Sequence, residues 1–84
     1  MTTKRKPHKD WKSWDRAWGW TLELYGGIEI TVQHGMTKGS HFSYSGLGRR
    51  SKNEYEDEKE AMIRAEDMAR RVLSIATEKL ADNA

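Results

Sequence analysis

The side chains best suited to chemistry are few, and their spacing decides what they can do. The three histidines are His8, His34 and His41. None of them shares a recognisable nucleophile context with a serine and a carboxylate, so acyl-transfer chemistry has no candidate triad. His34 and His41 flank a glycine-bounded loop and suggest a metal pair, but the strand register expected below puts His34 level with Ser40. His41 then points to the opposite face, and no metal site is expected. Glu54, Glu56, Asp57, Glu58 and Glu60 imitate the paired carboxylates of acid–base catalysis. They also crowd the start of an expected helix, where acids suit the positive end of the macrodipole, and that accounts for them. Gly46-Leu47-Gly48 followed by Arg49, Arg50 and Lys52 has the outline of a phosphate cradle. The acids that open the next helix would repel an anion there, so a turn with a basic rim is the better reading. With no cysteine, thiolate nucleophiles, thiolate metal sites and disulfides are all excluded. The chain reads as a protein that binds rather than an enzyme, with no cofactor.

Two kinds of binding remain. Lys4, Arg5, Lys6, Lys9, Lys12 and Arg16 interleave with Trp11 and Trp14. Cations neutralise phosphates and indoles stack on unpaired bases, so this arm, with the Arg49, Arg50 and Lys52 loop, is a nucleic-acid candidate. Tryptophan and arginine are also the commonest anchors of protein interfaces. On that reading Trp11, Trp14, Arg49, Arg50, Glu54, Glu56, Asp57 and Glu58 form the contact set for a protein partner. The charge is strongly segregated: residues 1–16 carry six basic and two acidic side chains, whereas residues 53–84 carry five and nine.

The elements that must hold these residues follow from apolar periodicity. At 84 residues the chain allows one domain. Residues 1–9 lack apolar periodicity and are expected to be a flexible basic arm, leaving 10–84 as a single α+β domain. Trp11, Trp14 and Trp18 are spaced three and four apart behind Asp10, a good N-cap, which predicts a short helix ended by Gly19. From Trp18 the period becomes two. Trp20, Leu22 and Leu24 are expected to face Val32, Ile30 and Ile28 across a three-residue Tyr25-Gly26-Gly27 loop. A third strand, His41–Leu47, pairs Phe42 with Val32 and Tyr44 with Ile30, leaving Gly46 opposite Ile28, where it would admit a close helix. The open face then shows Thr21, Glu23, Glu29, Thr31, Gln33, Ser43 and Ser45. A helix begins near Asn53 or Asp57 and gathers Ala61, Met62, Ala65, Met68, Ala69, Val72, Leu73, Ile75, Ala76 and Leu80 on one arc. Glu60/Arg64, Glu66/Arg70 and Asp67/Arg71 are i,i+4 pairs along it. The expected architecture is a three-stranded antiparallel meander packed on one face by a long C-terminal helix, (α)βββα.

Two family likenesses sit on these residues. The order αβββα, with Gly46, Gly48, Ser51 and Lys52 leading into an alanine-rich helix, resembles a double-stranded-RNA-binding domain. That family grips phosphates with lysines where this chain has Glu54, Glu56, Asp57 and Glu58. The Trp-bearing hairpin, loop and helix opening with the acidic segment Asp57–Glu66 are similar to short phage and prophage accessory proteins, anti-CRISPR inhibitors among them. That resemblance implies a small domain that acts through its surface by binding subunits of a bacterial nucleoprotein complex. It carries no catalytic motif. A cytoplasmic place, no membrane contact, and a monomer or homodimer are the accompanying expectations; the apolar runs are too short to span a bilayer.

Overall fold

The computed structural model describes residues 6–15, 18–34 and 41–82. Lys4, Arg5 and Arg16, and the loop expected over Gly35–Gly39, lie outside them. The chain forms β1 (Lys12–Ser13), β2 (Gly19–Tyr25), β3 (Ile28–His34), β4 (Phe42–Gly46), β5 (Arg49–Arg50) and α1 (Glu58–Asp82). The strands make one antiparallel sheet in the order β1-β2-β3-β4-β5, and α1 packs over β3 and β4. This is an α+β meander with a C-terminal helix, widened from three strands to five by a two-residue strand on each edge.

Alternation in β2 and β3 sets the core. Trp20 pairs with Val32 and Leu22 with Ile30, on the face toward the helix. Leu22, Ile30, Val32 and Phe42 are buried against Ala61, Met62, Ala65 and Ala69. The small alanines let the helix backbone lie close to the sheet. Asp57 caps α1, its Oδ1 accepting the Lys59 backbone N–H at 3.0 Å. The uncovered face carries a polar row that runs across all five strands: Lys12, Thr21, Thr31, Ser45 and Arg50 are in register. Within it the Thr31 and Ser45 hydroxyls are 3.0 Å apart.

Several expectations need correction. Residues 12–13 are a strand, not part of a helix: the Trp14 backbone N–H bonds the Gly19 carbonyl at 2.8 Å, and the Trp14 indole N–H donates to Thr21 Oγ1 at 2.7 Å. A helix of two turns cannot repay its own nucleation, whereas an edge strand borrows a ladder already formed. The three tryptophans therefore do not share a face. Gly19 starts β2 instead of ending a helix, and a Cβ there would run into the Trp14 ring.

In the first hairpin the loop is the two residues Gly26-Gly27, with Tyr25 rather than Leu24 opposite Ile28 and a register shift between Glu23 and Tyr25. Both glycines have positive φ, 54° and 90°, as a type I′ turn demands. β4 is displaced by two residues from the expected register: Phe42 lies opposite His34, Tyr44 opposite Val32 and Gly46 opposite Ile30. A two-residue shift keeps every side chain on its face, so hydrophobic patterning does not oppose it. Gly46 makes room for β3, not for the helix: a Cβ there would sit 2.8 Å from Ile30 Cγ2.

The described residues of the expected arm touch the domain. The His8 backbone N–H donates to Glu66 Oε2 at 2.7 Å, and the Trp11 indole N–H reaches the same oxygen at 2.8 Å. Glu66, 8% exposed, also has its Oε1 3.8 Å from Arg70. Its expected role as a surface i,i+4 partner is thus a minor part of what it does. Of the other expected pairs, Glu60–Arg64 forms at 3.1 Å, while Asp67 binds Arg70 at 3.0 Å.

Candidate binding groove at the tryptophan end of the sheet

The start of β2 and the end of β3 create an aromatic strip. The Trp18 carbonyl accepts the His34 backbone N–H at 3.0 Å, which extends the hairpin ladder one residue beyond β2. Period-two alternation then puts Trp18 on the same face as Trp20. Across the ladder the Trp18 and His34 rings meet edge to face at 5.5 Å, and His34 meets Phe42 in the same way at 5.3 Å. Phe42 in turn meets Trp20 at 5.6 Å with planes 61° apart. Quadrupoles favour such inclined pairs over flat stacks. Phe42 is held there by a two-way backbone bridge to Tyr55, each bond 2.7 Å.

Beside this strip lies an open groove of about 280 Å³, lined by Ser13, Trp14, Trp18, Gly19, Trp20, Phe42 and Glu58. Trp18 is 70% exposed, an unusual fraction for the largest apolar side chain. Glu58 opens α1, and among the described residues it has no hydrogen-bond or ion-pair partner. The groove is mostly apolar with one carboxylate at its border. Its volume lies at the small end of the range of small-ligand pockets, roughly 300–1,000 Å³.

The structure sorts the residues singled out from sequence. Trp14 and Glu58 both border the groove, although 44 positions separate them, but the Trp14 indole itself turns to the uncovered face, over Gly19 and onto Thr21. Trp11 does not join them: it is part-buried against the core and anchored to Glu66. Arg49 and Arg50 lie on β5, the opposite edge of the sheet from β1, exposed. Glu56 is exposed with its Oε1 3.8 Å from His41 Nε2, Asp57 is spent on capping, and Glu54 is half-buried. Lys6, Lys9, Lys12 and Lys52 are exposed. Trp18, Trp20 and Phe42 complete the site and were not among the expected contacts. Their signal in the sequence is that Trp18 continues the period-two pattern one step past the last apolar pair, with no partner left to bury it.

His34 and His41 project from different positions, the first between Trp18 and Phe42, the second toward Glu56. Among the described residues no three His, Cys, Asp or Glu side chains are grouped to hold a metal. Among the described residues Tyr55, which does not line the groove, has a clearly shifted phenol. Burial, and then the neighbouring Tyr44, push the Tyr55 phenol above its ordinary range. No family model, no characterised protein and no solved structure matches this chain.

Proposed function

We propose that the chain is a non-enzymatic binding domain that captures a protein partner through the groove at the tryptophan end of its sheet. One observation carries this reading: Trp18 stands 70% exposed beside Trp20 and Phe42, with Glu58, unpartnered among the described residues, at the border. A large indole gives up much apolar surface to water when exposed and recovers it only on contact, which is why buried aromatic anchors dominate interface energetics. The likeness to short phage accessory proteins supplies the partner class, a subunit of a bacterial nucleic-acid-processing defence complex that the domain would inhibit. The test is capture from nuclease-treated bacterial lysate by the intact chain and by Trp18→Ala. Binding of a defined subunit that survives nuclease and is lost in the variant supports the reading. Capture that is equal in both, or that disappears with nuclease, overturns it.

A second reading, direct nucleic-acid binding, is favoured by the exposed cations Lys6, Lys9 and Lys12. It demands affinity that falls steeply with salt and that drops when these three lysines become glutamine. Those substitutions leave the His8 backbone contact in place, so loss of binding would not merely report unfolding.

A further inference from the structure

We infer that the groove is built to take an arginine side chain presented by the protein partner. This deepens the groove reading above and rests on it. The chemistry of the lining separates the possible occupants. A purely aliphatic side chain would be served by an apolar slot, yet the border carries the Glu58 carboxylate with no partner of its own among the described residues. An anion is disfavoured by the same group and by Asp57 and Glu60 in the adjoining turn, which offset the positive end of the helix dipole. A cation is favoured twice, by the carboxylate and by indole π faces, tryptophan being the best side chain for cation–π contact.

Among cations, arginine suits the shape. Its guanidinium is planar, weakly hydrated and stacks on aromatic rings while its N–H groups donate in the plane to a carboxylate. The alternative, an ammonium that is compact and strongly hydrated, loses more on entering an apolar groove. Trp18 provides the ring for the stack: it is 70% exposed and braced edge to face against His34 at 5.5 Å. The open groove, about 280 Å³, has room for one such side chain.

The experiment uses the intact chain and N-acetyl-arginine methylamide, with the citrulline analogue as its neutral isostere and choline as a quaternary ammonium. Binding is followed through the indole N–H signals of the tryptophans. The Trp11 signal, locked to Glu66, reports that the fold is intact. The arginine probe is expected to shift Trp18 and Trp20 saturably at millimolar concentration, citrulline to bind tenfold or more weakly, and choline more weakly than arginine. Glu58→Gln should weaken the arginine probe about threefold or more, leave citrulline unchanged, and leave the Trp11 signal in place. Citrulline binding as tightly as arginine, choline binding tighter, an unaffected Glu58→Gln, or no saturable shift would each overturn the inference. Partner capture that needs Trp18 while citrulline equals arginine would sink the arginine assignment and leave the groove as the contact. Capture that ignores Trp18 would sink the groove reading itself.

Discussion

At the residue scale Glu66 is the side chain on which the N-terminal segment depends. One carboxylate oxygen accepts both the His8 backbone N–H and the Trp11 indole N–H, at 2.7 and 2.8 Å. Hydrogen bonds to charged groups contribute roughly 1.5–3 kcal/mol, and donors left unpaired add a desolvation cost. The Arg70 contact at 3.8 Å, largely in solvent, adds little. Glu66→Ala should therefore lose about 2–4 kcal/mol in urea unfolding, whereas Glu66→Gln, which keeps an acceptor oxygen, should lose less than half of that. Tyr55 gives a second prediction, in pH. Its phenol is raised above the ordinary value of 10.0, first by burial and then by Tyr44, so the fold favours the neutral form. That contribution is complete below pH 10 and is lost as pH rises through the shifted value. The urea midpoint should fall above pH 10, and Tyr55→Phe should remove part of the fall. Neither role is visible along the chain. Glu66 pairs with residues 55 and 58 positions away, and on a helical wheel it borders the apolar arc as any surface glutamate does.

At the element scale the turns hold more of the specificity than the strands. Leu47 and Gly48 both have positive φ, 53° and 76°, and connect Gly46 to Arg49 in a second type I′ hairpin. Gly46 combines φ 145° with a β3 backbone so close that a Cβ would meet Glu29 O and Ile30 Cα at 2.9 Å. Gly48 has open space around it. Gly46→Ala should thus cost more than about 2 kcal/mol, and Gly48→Ala about 1 kcal/mol from its dihedral alone, both read by urea melts. The pairing of β2 with β3 was legible because apolar alternation and loop length agree at Trp20↔Val32 and Leu22↔Ile30. The position of β4 was not, because patterning punishes a one-residue slip and is silent on a slip of two. The contact of Gly46 with Ile30 decides it. β1 and β5 are two residues each, too short for any period to register, and Trp14 looked helical because spacing cannot see the Thr21 hydroxyl that holds it. Half of the groove suffered the same fate: Trp14 and Glu58 stood out by type, while Trp18 and Trp20 passed as core.

At the scale of the whole molecule the helix and sheet do not match in length. Twenty-five residues make α1 about 37 Å long, whereas the seven-residue strands span only about 23 Å. Ala61, Ala65 and Ala69 are buried where the sheet lies beneath them, but Leu73, Ile75 and Leu80 are exposed, Leu80 at 72%. The sequence puts all of these on one arc because periodicity reports direction around a helix, not how far the opposing layer extends. Two consequences separate the halves of α1. Amides around 61–69 should exchange slowly, near the rate set by global unfolding, while those around 75–82 exchange through local fraying. Side-chain deletions should divide in the same way. Ile30→Ala removes a fully buried side chain and should cost about 2–5 kcal/mol, whereas Leu80→Ala and Ile75→Ala should stay within about 0.5 kcal/mol. If Leu80→Ala instead cost as much as a core truncation, that end of α1 would be covered in solution. The cover would then be a second copy of the chain, and its unfolding midpoint would rise with protein concentration. A midpoint independent of concentration together with a silent Leu80→Ala assigns the stability to the single chain, and the final turns of α1 to solvent.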